Sequence, residues 1–247
     1  MSPLSLKKRS ETVTRALDLL KEGNARFSQG LRSIETMLSA LRLKDLAEKG
    51  QSPFAILVTC SDSRLPAEIV FDRGVGDLFV IRMAGNVVTP EVVASIEFAA
   101  TQFKTPLCVV MGHSKCGAMI SAEKVLGGQV EAPTPSLGQL LGKIRAPYEQ
   151  TCRALDHLGH THNLKRSDIN FPTALTHFNV HYGVEEILKR SPTLQQLAAS
   201  GEFAVVGAFY DLHQGTVTYL PEGDDERIEA AFKRGELPVE GLLTSNK

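Results

Sequence analysis

The sequence has no tryptophan, no apolar run approaching the ~20 residues of a membrane span, no internal repeat and no low-complexity segment. Nor is charge of one sign in excess, since 27 lysines and arginines face 28 aspartates and glutamates for a formal charge of −1. No basic block is dense enough for a nucleic-acid footprint, and Lys7, Lys8 and Arg9 form a small patch that reads as solvated surface. The first twenty residues lack the apolar core and cleavage site of a secretory signal. The expectation is a cytoplasmic protein with neither a membrane nor a nucleic-acid partner. Cysteine is scarce too. Cys60, Cys108, Cys116 and Cys152 lie far apart, and without an export signal they point to reduced thiols or metal ligands rather than disulfides. The missing tryptophan gains weight only once the reactive residues are placed.

What is present is 43% hydrophobic and 22% charged, enough for a sizeable core in 247 residues. Residues 10–28 predict an amphipathic helix, with Val13, Ala16, Leu17, Leu20 and Phe27 at near-helical spacing. Residues 35–49 predict another, carrying Met37, Leu38, Leu41, Leu43 and Leu46. Neither carries chemistry, and both read as packing elements against the core or a partner subunit. From residue 54 the pattern changes to short apolar runs: FAILVT, LFVIRM, LCVVMG, FAVVGAFY and TVTYL. The first four are continuous rather than alternating, as in strands buried on both faces, and the helical pattern EVVASIEFAATQF separates two of them. This order predicts an α/β fold: a central, mainly parallel sheet of about four parallel strands, flanked by helices. The last two runs are joined by DLHQG, which predicts a hairpin and an antiparallel edge strand at 216–220. Residues 127–136 read as a Gly/Pro-rich loop, 157–168 as a polar break, and the charged tail from 221 has no clear strand. The expected organisation is one domain over 1–247, with an N-terminal helical arm to residue 50, a core at 51–220 and a C-terminal extension at 221–247.

In open α/β sheets, ligands gather outside the carboxyl ends of the strands. Cys60 follows FAILVT, with Asp62 and Arg64 close behind, while His113 and Cys116 follow LCVVMG where SKCGAMISAE opens a helix. Two thiolates and an imidazole suit zinc, and three protein ligands leave a fourth position for water, which makes such a site catalytic. Alone, H-x-x-C is a weak signal that more often describes a helix-start histidine and a core cysteine. Cys108 and Cys152, in LCVV and QTCRAL, read as core thiols. A cysteine kept only for packing, however, does not call for an ionic Asp62 and Arg64 beside it. Spaced i, i+2, these two can pair in an extended segment. They either brace the loop, or Arg64 keeps Asp62 ionised as a hydrogen-bond acceptor for the metal's water.

With these residues placed, the sequence resembles the β-class carbonic anhydrases. The likeness rests on CSDSR at 60–64, GHSKCGA at 112–118, their separation, and RMAGN at 82–86, all within residues 51–120. A weaker similarity runs from about 177 to 220 through VVGAFYDL, and the N-terminal helices, residues 127–170 and the tail add little. The resemblance implies that Cys60, His113 and Cys116 bind one Zn2+ per subunit and that Asp62 and Arg64 form the catalytic dyad. It also implies that Gly117 contributes to substrate binding. The reaction implied is reversible hydration of carbon dioxide to bicarbonate and a proton by a zinc-bound hydroxide. The reference for zinc lowering a water's pKa to about 7 is itself a carbonic anhydrase with three histidine ligands. Two thiolates offset more of the ion's charge, so a higher kinetic pKa is expected here.

The family has two active-site styles. Gln51, nine residues before Cys60, matches the glutamine with which plant-like members hydrogen-bond substrate or bicarbonate. Phe79 and Phe98 fall where those members line the pocket with aromatics, in part from the neighbouring subunit, though Phe98 stands where tyrosine is frequent. From spacing alone Gln51 is a loop residue and both phenylalanines are ordinary core. The other style is switched off by bicarbonate at a noncatalytic site of tryptophan, arginine and tyrosine. Arg82 and Tyr210 align with two of these, but Leu57 takes the tryptophan's place. This predicts an open site without a bicarbonate-regulated state in which Asp62 ligates zinc. Homodimers or multiples of dimers, embraced by the N-terminal helices, are also implied.

Rival readings are fewer. Cysteine-dependent phosphatases need a phosphate-cradling loop with a longer interval than that between Cys60 and Arg64, and Asp62 would repel the phosphate. Hydrolysis of carbon disulfide or carbonyl sulfide uses the same zinc site in relatives with narrowed access. A nonenzymatic, zinc-stabilised binding protein calls for a closed site or a broken dyad, and both dyad residues are present. His157, His160 and His162 have no accompanying cysteine or carboxylate cluster and read as a solvated loop. His177, His181 and His213 are candidate proton relays among which spacing makes no choice.

Overall fold

The apolar runs fold as five strands: β1 Ala55–Thr59, β2 Leu78–Arg82, β3 Leu107–His113, β4 Ala204–Tyr210 and β5 Val217–Tyr219. They form one sheet in the order β2-β1-β3-β4-β5. Strands β1 to β4 run parallel, and β5 pairs antiparallel with β4 at the edge. This computed structural model describes residues 10–31, 40–162 and 170–220, with backbone alone for 40 and 157–162. The helices are α1 Glu11–Ser28, α2 Ala40–Lys49, α3 Ala67–Val70, α4 Pro90–Gln102, α5 Gly117–Leu126, α6 Pro135–Gly142, α7 Arg145–His162, α8 Phe171–Arg190 and α9 Pro192–Ser200.

Every residue of β1 and β3 is buried, which is why their sequences are continuous apolar runs. Alternation still sorts their side chains. Ala55, Leu57, Val109 and Met111 face a layer that contains Leu17 and Leu20 of α1, while Ile56, Val58, Cys108 and Val110 face α4 and α8. A third cluster, with Met119, Leu141, Ile144, Leu155, Phe171 and Leu175, lies around Cys60 and Cys116. Thr89 caps α4 by accepting from the Val92 N–H, and proline stands at the helix start, where no N–H is needed.

α1 of the N-terminal arm packs on this chain's own sheet. Asn24 donates to the carbonyls of Val70 and Gly215 at 3.1 and 2.9 Å and accepts from the Val217 N–H at 2.8 Å, and Arg26 pairs with Asp72 at 2.5 Å. α2 behaves otherwise, with Leu41 81% and Leu43 49% exposed. Two glycines set the position of α8. A Cβ on Gly112 would lie 2.5 Å from Thr176 Cγ2, and one on Gly207 would lie 2.9 Å from Val180 Cγ1, so the helix lies directly on the strand backbones.

The polar stretch at 157–168 departs from expectation, because α7 continues through His162. A helix whose buried face extends to Ala154 and Leu155 can carry polar residues onward as readily as a loop can. The solvated-loop reading of His157, His160 and His162 is therefore corrected to helix. The predicted turns of helix before residue 40, residues 163–168, the basic patch and the tail lie outside the described residues. No helix among the described residues is long and apolar enough to cross a membrane.

Candidate metal centre

Cys60 leaves the end of β1, and His113 is the last residue of β3. Thr59 lies opposite Met111 in the parallel ladder, so Cys60 and His113 emerge almost level. The chain then turns back through Lys115, whose φ of 55° is the left-handed conformation, and sets Cys116 at the N-cap of α5. The two Sγ atoms are 4.0 Å apart, and the donor atoms of Cys60, His113 and Cys116 all lie within 4.8 Å of one another. Tetrahedral zinc with the usual bond lengths separates its ligands by about 3.5–3.8 Å, so the sulfur pair needs to contract by only a few tenths of an ångström and the whole trio by no more than about 1 Å.

The imidazole is oriented for coordination. Its Nδ1–H donates to the Ser114 carbonyl at 3.0 Å, which leaves the Nε2 lone pair for the centre. Nε2 is fully buried and has no hydrogen-bond partner among the described residues. A buried imidazole acceptor without a donor is unfavourable by itself, and a cation between it and two sulfurs resolves the arrangement. The Cys60 thiol is pushed down by hydrogen bonding with Cys116, aided by His113 and by the backbone N–H groups of Gly85 and Asp62, against the effect of burial. The partner thiol moves up, because hydrogen bonding to Cys60, burial and the Cys60 charge all oppose a second thiolate. A divalent cation removes that opposition. The donor set therefore fits zinc.

Asp62 is held by Arg64 in a fork, with Nη2 to Oδ2 at 2.7 Å and Nε to Oδ1 at 2.9 Å, and the Arg64 N–H adds a third bond at 2.9 Å. These hydrogen bonds, foremost that from the Arg64 side chain, hold the carboxyl well below the usual carboxylate range. Asp62 Oδ2 lies 4.0 Å from His113 Nε2, beside the three donors. Arg82 donates to the carbonyls of Cys60 and Asp62 at 3.2 and 2.6 Å and so fixes the loop that carries both.

Sequence reasoning passed over two residues here. Gly85 donates its N–H to Cys60 Sγ at 3.3 Å from a φ of 69°, and a Cβ there would lie 3.0 Å from that of Ala118. Asn179 of α8, buried, donates to the Gly85 carbonyl at 2.9 Å. The glycine inside RMAGN was a visible signal, whereas nothing local marks an asparagine 94 residues away.

The remaining predicted residues divide. Gly117 follows Cys116 directly, with open space where a Cβ would be. Gln51 is exposed ahead of β1, so that the whole five-residue strand, about 16 Å long, lies between it and Cys60. Phe79, in β2, and Phe98, on α4, form a ring cluster with Phe103 at centroid distances of 5.4 to 6.4 Å, with Phe98 52% exposed. Phe79 lies opposite Ile56, towards the strand end remote from Cys60. Within one chain these three are not brought to the ligands. Leu57 is fully buried in the cluster that also holds Tyr210.

A mainly parallel α/β sheet with a Cys-His-Cys donor set and a fork-held aspartate at its carboxyl edge is the arrangement of a metalloenzyme. The sequence profile described as carbonic anhydrase matches residues 55–217. Carbonic anhydrase 2 of Mycobacterium tuberculosis is 37% identical over 196 residues, covering 79% of this chain and 87% of the relative. A carbonic anhydrase of Mycolicibacterium smegmatis is 37% identical over 198 residues, covering 80% and 88%. Among solved structures, a β-carbonic anhydrase of Aspergillus fumigatus superposes with a TM-score of 0.61 at 27% identity, covering 90% of this chain and 97% of that one. One of two tetrameric β-carbonic anhydrases of Sordaria macrospora gives 0.61 at 25% identity, covering 87% and 100%. The chain belongs to the carbonic anhydrase family, in its β class.

Proposed function

We propose that this protein catalyses the zinc-dependent, reversible hydration of carbon dioxide at an open site, with Cys60, His113 and Cys116 as the metal ligands. The observation that carries this reading is the buried, unpartnered His113 Nε2, facing two sulfurs and lying 4.0 Å from an ionised Asp62. Bound zinc supplies a Lewis acid that makes a water acidic enough to lose a proton near neutral pH. The chain's own residues do the rest. Arg64 keeps Asp62 ionised and oriented as an acceptor for the water's hydrogen. The Gly85 N–H draws charge from the Cys60 thiolate and so leaves the metal more acidic. Burial of the three ligands keeps bulk water from competing for them. Gly117 borders the space the substrate enters. Gln51, Phe79 and Phe98 complete the site only from a second copy of the chain, which makes a dimer or a multiple of dimers the functional unit.

The site has no bicarbonate-regulated closed state. Leu57 fills its place in the core completely, Arg82 is engaged with the Cys60–Asp62 backbone, and the Asp62 carboxylate is held by Arg64 outside the three-donor group. Bicarbonate inhibition is expected to be non-cooperative, and a sigmoidal inhibition curve would count against this.

Zinc analysis and stopped-flow carbon dioxide hydration test the main reading. The wild type is expected to carry one zinc per chain and to hydrate carbon dioxide. Asp62→Ala should keep its zinc and lose roughly 10²-fold or more in kcat, and Cys116→Ala should lose the metal. A zinc-loaded wild type without hydration activity overturns the proposal. Carbon disulfide and carbonyl sulfide, offered in the same assay, decide whether the same centre acts on them.

A further inference from the structure

The structure separates the three histidines that spacing left equivalent. His177 and His181 are buried on α8; burial, with a smaller contribution from His181, pushes His177 down to about 3, and burial pushes His181 down to about 4. A proton relay must gain and lose charge near neutral pH, and these two stay neutral there. His213 is exposed on the turn between β4 and β5. That turn is firmly built. Asp211 Oδ1 accepts from the backbone N–H groups of His213 and Gln214, both at 2.8 Å, and the Asp211 N–H donates to the Thr216 carbonyl at 2.9 Å. It is also tied to the metal site: the Leu212 N–H donates to Ser114 Oγ at 2.9 Å, and the carbonyl of the same Ser114 accepts from His113 Nδ1.

Beside this turn lies a cavity of about 580 Å³, whose wall includes Arg64, the partner of Asp62, together with Ser114, Lys115, His177, Tyr210 and His213. At roughly 30 Å³ per water, it has room for on the order of ten or more. Hydration of carbon dioxide releases one proton per turnover, and that proton must leave the site before the next cycle.

We propose that His213 is the proton relay of this enzyme, receiving the proton through the water of this cavity and passing it to solvent buffer. The inference rests on the hydration activity proposed above. In each cycle a water in the site gives up a proton and becomes hydroxide. The proton passes along the cavity's waters to an imidazole nitrogen, and the imidazolium then transfers it to a buffer base and returns to neutral. The charged groups facing the cavity are Arg64 and Lys115 on the ligand side and Asp211 on the turn, while His177 from α8 faces it uncharged.

His213→Gln tests this. In dilute buffer kcat for hydration should fall roughly tenfold, kcat/KM should stay within about twofold, and added imidazole should restore kcat. Zinc content should match the wild type. A readout independent of turnover is histidine NMR on the zinc-free protein: the rings of His177 and His181 should not titrate near neutral pH. An active wild type whose His213→Gln variant keeps full kcat in dilute buffer, or loses kcat and kcat/KM equally without imidazole rescue, overturns the relay. A wild type that holds zinc but hydrates nothing overturns the parent reading instead.

Discussion

Asp62 and Arg64 show how two surface-capable residues become a fixed, charged pair. The side chain of Arg64 is half exposed, yet both its Nε and Nη2 are committed to Asp62, whose side chain is only 17% exposed. The folded Asp62 carboxyl titrates below its unfolded value, so the stability it contributes is present above about pH 4. That contribution is lost as pH falls through the lower, folded value. The dyad therefore stays charged across the range in which a metal-bound water titrates. Any acid limb in the rate profile above pH 4 belongs to another group. Arg64→Ala should move the Asp62 titration up towards the ordinary carboxylate value of roughly 3.9, read by carboxyl NMR on the zinc-free protein. An unmoved titration would mean that backbone N–H groups alone set it. Much of this site was legible in the sequence, because CSDSR and the H-x-x-C set concentrate reactive side chains at two strand ends. Gly85 and Asn179 were not singled out, since one acts through its backbone and the other comes from a helix remote in sequence.

At the scale of elements, the strands were legible for a physical reason. Burial on both faces demands continuous apolar runs, and β1, β3 and β4 are nearly fully enclosed, whereas the edge strand β2 is only part-buried. The end of α7 was not, because a polar helix and a polar loop share a composition. Nor does sequence reveal how closely a helix rides on a sheet. α8 lies against β3 and β4 because Gly112 and Gly207 present no Cβ to Thr176 and Val180. Gly207→Ala should lower stability by about 1–3 kcal/mol in urea denaturation, since both neighbours are packed and cannot yield freely. Gly112→Ala, next to His113 and with a clash of 2.5 Å, should also weaken zinc binding, measured by chelator competition. Equal zinc affinity in that variant would show that the ligand set is insulated from the helix-sheet spacing.

The whole molecule presents a surface that one chain does not complete. β2 has β1 as its only sheet neighbour among the described residues, and beside it the Phe79, Phe98 and Phe103 rings cluster with Phe98 more than half exposed. Leu41 and Leu43 of α2 are exposed as well. A single exposed phenylalanine means little, whereas a ring cluster at an uncovered sheet edge is the kind of surface that a second copy covers. Gln51 stands at the same end of the sheet and cannot reach its own chain's ligands along β1. Both facts are met if each active site borrows from its neighbour. Phe98→Asp places a carboxylate in that contact, where leaving it buried and unpaired costs several kcal/mol. The variant should elute as a smaller species in size-exclusion chromatography with light scattering, keep its three zinc ligands loaded, and lose hydration activity in step with the loss of the larger species. Unchanged mass together with unchanged activity would place Phe98 outside the contact and confine the site to residues of a single chain.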